Sequence, residues 1–183
     1  PDDVPVLRVY GAISERKGIA ELFEATQDKA FPANVHLVMA GEQVPEMRAI
    51  LGGAIGSRLK DQKRLTEVTG FLDDAAEYAV FRASNVVWVG YRQHYGSSGV
   101  VLQAAAMGLP VLSCREGLLG WRTQKYAIGM AVDVTDPNAV TQAVQRLVCD
   151  EALRAQCRVN GLKLAEQHTG KAFGETIVSA LVS

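Results

Sequence analysis

Of 183 residues, 48% are hydrophobic and 21% charged, with a net charge of −1 and a sequence pI of about 6.4. That length and apolar content suffice for one α/β unit with a substantial core. The near-neutral balance without a Lys/Arg run argues against a nucleic-acid surface, and no apolar run approaches the ~18 residues that a membrane span needs.

The chain opens at Pro1 without a methionine, which points to a piece of a longer protein, and no signal peptide is visible. Residues 4–10 alternate loosely and stop at Gly11, a first strand. The loop that follows carries two adjacent cations, Arg16 and Lys17, before Ile19, Leu22 and Phe23 mark a helix face. Such a pair is usually just solvated, but the C-terminal end of a strand is where open α/β sheets bind ligands. Residues 35–40, closed by Gly41, form a second strand, and residues 45 to about 60 read as one helix weakened by Gly52, Gly53 and Gly56. Residues 65–69 form a third strand, ending in Gly70-Phe71-Leu72. Asp74 with Glu77 reads as a capping pair for a helix through Ser84 that buries Tyr78 and Phe81. Asp73, Asp74 and Glu77 are therefore taken as capping residues and not as a catalytic cluster.

The next unit is the most informative. Val86-Val87-Trp88-Val89, closed by Gly90, is a buried strand. After a polar loop over 91–96, Ser97-Ser98-Gly99 opens a helix whose Val100, Val101, Leu102, Ala104, Ala105, Ala106 and Met107 leave no solvent face. Gly108 and Pro110 stop it, and residues 110–113 form the next strand. Free N–H groups and the positive dipole end at such a helix start suit a phosphate. Ser97-Ser98 also reads as a plain N-cap. Gln103, one turn after Gly99 on the same face, needs a hydrogen-bond partner in this apolar setting: a neighbouring core group or a ligand.

Residues 115–129 read as a loop with a short helix around Trp121, and residues 130–134 as a last strand. Asp136-Pro137 starts a helix as N-cap and first residue, with Val140, Val144, Leu147 and Val148 on one face. Asp150 caps another helix, and Phe173, Ile177 and Leu181 mark a terminal one. Strand and helix alternate throughout, which predicts an α/β fold: a Rossmann-like parallel sheet with helices on both faces. One domain is expected over 1–183, with C-terminal helices over about 136–183. Cys114, Cys149 and Cys157 are unevenly spaced and lack a C-x-x-C pair. They read as reduced core thiols of a cytoplasmic protein.

Taken in order, six segments carry a resemblance. They are Gly11…Lys17-Gly18, VHLVMAG at 35–41, VTGFLD at 68–73, SNVVWVG at 84–90, SSGVVLQAAAMGLPVL at 97–112, and IGMAVDVTDPNAVTQAV at 128–144. From about residue 5 to 148 the chain resembles the C-terminal, donor-binding domain of GT-B-fold retaining glycosyltransferases of group 1, family 4-like. The resemblance implies one half of a GT-B enzyme of the hexosyltransferase class, binding a nucleotide-diphosphate sugar and transferring the glycosyl group to an acceptor. It implies that Lys17, assisted by Arg16, neutralises the diphosphate, and that the backbone at Ser97, Ser98, Gly99 and Val100 binds it. Gly70, Phe71 and Leu72 would lie near the base, and Gln103 near the ribose. The donor would be a UDP- or GDP-sugar, held without a metal or other cofactor. Fixed donors and a cation would stabilise the charge that develops on the leaving oxygen. The partner would be an N-terminal acceptor domain absent from this chain, with any membrane contact made through that missing half.

Two departures stand out. Where the family carries two glutamates eight positions apart, this chain has Tyr95 and Gln103, so no catalytic residue is assigned. The arginine usual after the first glycine is Ala12, and His94 lies in the loop near the sugar's expected place. These replacements keep a second function in view: a non-catalytic nucleotide-binding or assembly module of the same fold. A dinucleotide-dependent oxidoreductase is disfavoured, because no G-x-G-x-x-G follows the first strand and Ala40-Gly41 stands where an acid would end the second.

Overall fold

Short apolar runs become the strands of one parallel sheet. A computed structural model describes residues 4–181. Its strands are β1 (Val6–Tyr10), β2 (His36–Gly41), β3 (Leu65–Thr69), β4 (Val86–Val89), β5 (Val111–Cys114) and β6 (Gly129–Val132). All pair in parallel, in the order β3-β2-β1-β4-β5-β6. β4 and β5 are buried at every position, as strands covered on both faces must be. The order reverses between β1 and β4, the point where a parallel sheet opens a crevice at its C-terminal edge. There Val9 aligns with Trp88, so the loops leaving the two strands run side by side.

The helices are α1 (Ile19–Ala25), α2 (Pro45–Leu51), α3 (Ala54–Asp61), α4 (Asp74–Arg82), α5 (Gly99–Ala106), α6 (Gly117–Lys125), α7 (Pro137–Cys149), α8 (Glu151–Gln167) and α9 (Gly170–Leu181). Right-handed crossovers put α1 to α3 on one face and α4 to α6 on the other. α7 packs on α1 and α8 on α5, so the two C-terminal helices finish opposite faces. Asp136 and Asp150 cap α7 and α8 through the amides of Asn138 and Leu153, at 2.9 and 2.8 Å, and Pro137 fills the first position of α7.

The structure corrects several details. The helix expected over 45–60 is two helices broken at Gly52-Gly53, where a Cβ on Gly56 would lie 2.2 Å from the Leu51 carbonyl oxygen. Residues 115–129 do hold the expected short helix around Trp121, the nine-residue α6. Tyr78 is exposed, while Phe81 is buried. α5 keeps Ala106 exposed and Val100, Leu102 and Met107 half-buried, so it is not enclosed all round. Cys149 is exposed, although Cys114 and Cys157 are core thiols, and all three are free. α9 buries none of its residues, and Phe173, Ile177 and Leu181 face solvent.

The least expected core residue is Arg8, in the middle of β1 and fully buried. Its guanidinium lies 3.3 Å over the Phe81 ring centre, and among the described residues Nε, Nη1 and Nη2 have no hydrogen-bond partner. Burial pulls its pKa down to about 9, with Tyr10 and Glu77 acting against that shift, so it stays charged at neutral pH. A cation buried this way is costly, and it sets the electrostatics of what lies above it.

Candidate functional site

β1 ends at Tyr10, and Gly11, at φ +94°, turns the chain toward β2, donating to the Ala40 carbonyl at 3.0 Å. Buried Ile13 pins this loop, which then winds into a single 3-10 turn over Glu15–Lys17. Gly18 follows at φ +64°, its α-carbon so close to β4 that a Cβ would sit 2.1 Å from the Gly90 carbonyl oxygen. The buried Trp88 indole donates to the Lys17 carbonyl at 2.6 Å and fixes the turn's height above the sheet.

Lys17 therefore points inward, and it is not half of a solvated pair: only 4% of it is exposed. Its ammonium donates to the Tyr10 carbonyl at 2.6 Å and to the Tyr91 hydroxyl at 2.8 Å. Burial lowers its pKa to about 8, with Arg16 adding repulsion. Tyr91 is buried in turn, which raises its pKa, and its hydroxyl lies 3.3 Å from the Ser98 hydroxyl. Ser98 holds the N-cap position of α5 but makes no side-chain cap bond. The first-turn amides of α5 thus keep their pull on an anion. A Cβ on Gly99 would meet nothing within 4 Å, so the approach to that helix start is open. Ser97 and Gly99 are exposed and Val100 is half-buried.

Arg16 diverges from its neighbour. Its side chain is exposed, beside a groove of about 440 Å³ shared with Glu15, Glu21, Arg92 and Gln93. Its carbonyl accepts the Arg92 amide at 2.8 Å, while the Arg92 side chain pairs with Glu21. These two bonds tie the loop after β4 to the 3-10 turn and to α1.

At the end of β3, Gly70 takes φ +109° and donates to the Gly41 carbonyl at 3.3 Å. Phe71 is 96% exposed, an aromatic face without a protein cover, and Leu72 is half-buried. Asp73, not Asp74, caps α4, accepting the Ala76 amide at 2.8 Å. Glu77 is released from the cap and reaches the end of β1 and the neighbouring α5. It accepts the Tyr10 hydroxyl on Oε2, and on Oε1 the Gln103 amide at 2.9 Å. Gln103 thus finds a partner on α4, beside a groove of about 260 Å³ lined also by Asp74, Tyr78, Phe81 and Met107.

The structure gathers Lys17, Ser97, Ser98, Gly99 and Val100 around the start of α5, sets Gln103 one turn below, and leaves Arg16 outside. Sequence reasoning missed Tyr91, which joins Lys17 to Ser98, and the inward turn of Glu77. The signal for Tyr91 was its place directly after the strand-ending Gly90. Glu77 gave none that capping did not explain. Tyr95 is 73% exposed, its backbone packed against Gly117, and His94 lies edge-on to Tyr91 at 5.4 Å. Among the described residues no three His, Cys, Asp or Glu side chains form a metal-holding group, and no helix is long and apolar enough to cross a membrane.

The sequence model described as "Glycosyl transferases group 1" matches residues 4–150. The lipopolysaccharide core biosynthesis glycosyltransferase LpsE of Rhizobium meliloti is 27% identical over all of this chain and 51% of its own length. Sucrose-phosphate synthase of Thermosynechococcus elongatus superposes with a TM-score of 0.73 and 25% identity, over 91% of this chain and 41% of that one. HepE of Anabaena, solved with UDP and glucose, superposes with a TM-score of 0.81 at 16% identity, over 99% of this chain and 49% of that one. The chain spans about half the length of LpsE.

Proposed function

The chain belongs to the group 1 glycosyl transferases, and from that membership we propose that it is the donor-binding half of a sugar transferase. It holds the diphosphate of a UDP- or GDP-sugar between Lys17 and the start of α5, without a divalent metal. One observation carries this reading: the buried Lys17 ammonium, bonded to Tyr10 and Tyr91, stands one hydroxyl away from Ser98 at an uncapped helix start. An ammonium has three N–H donors. Two are engaged here, which leaves one for a phosphate oxygen.

The chemistry follows from that charge. Breaking the bond between the sugar and the diphosphate builds negative charge on the leaving oxygen. A positioned cation and helix amides stabilise it without reorganising. Gly70, Phe71 and Leu72 flank the base, and the exposed Phe71 ring offers it a stacking face. Arg16 contributes long-range charge from outside the Lys17 pocket. The ribose lies toward Gln103, and the acceptor pocket comes from an N-terminal half. HepE, with UDP and glucose bound, supports the donor class. Three free cysteines fit work in the cytoplasm.

The runner-up, a non-catalytic nucleotide-binding module, is favoured by Tyr95 and Gln103 in place of the two acids. Incubating the protein, with its N-terminal half, with UDP- and GDP-sugars separates the two readings. A transferase releases nucleoside diphosphate when acceptor extract is added. Nucleotide binding without any such release, on every donor tried, would establish the module instead.

A further inference from the structure

We propose that Glu77 is the carboxylate that accepts the ribose hydroxyls of the nucleotide, supplied from α4 in place of the α5 position held by Gln103. This inference rests on the nucleotide-binding reading above.

Glu77 is not needed where sequence logic puts it. Asp73 already caps α4, and Glu77 turns its carboxylate inward to the end of β1. Two donors fix it there, the Tyr10 hydroxyl on one oxygen and the Gln103 amide on the other, at 2.9 Å. A carboxylate accepts about four hydrogen bonds, so each oxygen keeps a lone pair. Both Glu77 and Gln103 line the groove of about 260 Å³ between α4 and α5. Two adjacent hydroxyl donors match a carboxylate there better than a neutral amide, because charge-assisted bonds are shorter and stronger.

The setting supports that role. Gln103 lies one turn below Gly99 on α5, a rise of about 5.4 Å. That is the order of the distance from a diphosphate at the helix start to the ribose that carries it. Tyr10 serves two ends of the site at once. Its carbonyl takes the Lys17 ammonium, and its hydroxyl takes Glu77. Beneath them lies the unpartnered Arg8 guanidinium, whose charge acts on Glu77. Among the described residues this buried cation makes no hydrogen bond, and Glu77 is a carboxylate whose charge acts on it. The pair lets the groove present an acceptor without adding net charge. Tyr10 and Gln103 are then positioning residues, and Glu77 is the group that meets the ligand.

The test compares each nucleoside diphosphate that binds, UDP or GDP, with its 2′-deoxy form, by calorimetry on the chain and on two variants. The unaltered chain is expected to prefer the ribose form by about tenfold or more, the scale of a hydrogen bond to a charged group. Glu77→Gln is expected to lose that preference. Gln103→Ala, which removes one of the two groups that hold the carboxylate, is expected to lower it by less. Preference retained in Glu77→Gln, or lost more fully in Gln103→Ala than in Glu77→Gln, overturns the assignment. Should Glu77→Gln fail to fold, an unchanged preference in Gln103→Ala overturns it. A chain that binds UDP or GDP with no preference for ribose refutes this inference and leaves the nucleotide reading standing. A chain that binds neither refutes both.

Discussion

Replacing Lys17 by methionine is expected to weaken nucleoside diphosphate binding by about tenfold to a hundredfold, the scale of a charge-assisted contact. Methionine fills the buried channel with a similar apolar stem, and Tyr91 keeps its contact with Ser98. The melting temperature at neutral pH should move little, since removing a desolvated charge offsets the loss of the Tyr10 and Tyr91 bonds. The pH dependence gives a second signature. With its pKa lowered to about 8, Lys17 in the free protein loses its proton above that pH, and affinity should fall by about tenfold per unit there. Stability should move the other way. The unfolded chain holds that proton to the ordinary value of 10.5, so between about 8 and 10.5 it binds more protons than the folded one and stability rises. Below pH 8 the charge is present in both states and its burial cost is carried in full. Both slopes should vanish in Lys17→Met. Unchanged affinity, or retained slopes, would remove Lys17 from the site.

Gly18→Ala should be the most damaging small substitution in this region. At φ +64° an added Cβ costs about 1–2 kcal/mol by itself. It would also lie 2.1 Å from the Gly90 carbonyl oxygen, which is backbone and cannot rotate away. Either the 3-10 turn lifts off β4 or the strand end moves. Both routes strain the Trp88 bond to the Lys17 carbonyl and shift the ammonium from Tyr91. A total loss of about 3 kcal/mol or more is expected, with nucleotide binding lost as well. Chemical denaturation measures the first effect. A stability within 1 kcal/mol of the parent would mean that the turn is not clamped as described.

The same residues explain what was readable in advance. Runs such as Val86-Val87-Trp88-Val89 and the glycines that end them are local signals, and they yielded all six strands and their α/β class. The start of α5 at Gly99 was equally legible, because small residues before an apolar helix have a direct physical meaning. The inward turn of Lys17 was not. It depends on Gly18 meeting Gly90 and on Tyr91 lying 74 positions away in sequence. Glu77 was misassigned for the opposite reason, since a local explanation existed and concealed a contact with Gln103, 26 positions on. Gly52-Gly53 shows the limit of periodicity: the apolar spacing continues through a break between α2 and α3, where the Leu51 carbonyl packs against Gly56. Arg8 offered one clue, a charged residue inside an apolar strand, but nothing in the sequence says that it stays unpartnered.

Gln103→Glu illustrates how the structure changes an expectation. Read from sequence, Gln103 meets either a neighbouring core group or a ligand, and a glutamate is harmless only in the second case. With Glu77 only 2.9 Å away, it places two carboxylates in contact, and both stability and nucleotide affinity should fall.

The most direct measurement is titration calorimetry of the chain with UDP, GDP and ADP, each with EDTA and with Mg²⁺. A site made of Lys17 and the α5 amides supplies its own positive charge, so at least one diphosphate should bind, with the same affinity in EDTA. On the proposed reading the chain supplies one half of the cleft, so dissociation constants in the range of about 0.1 mM to several mM are expected. Failure of all three at millimolar concentration, or binding that appears only with Mg²⁺, would contradict the account.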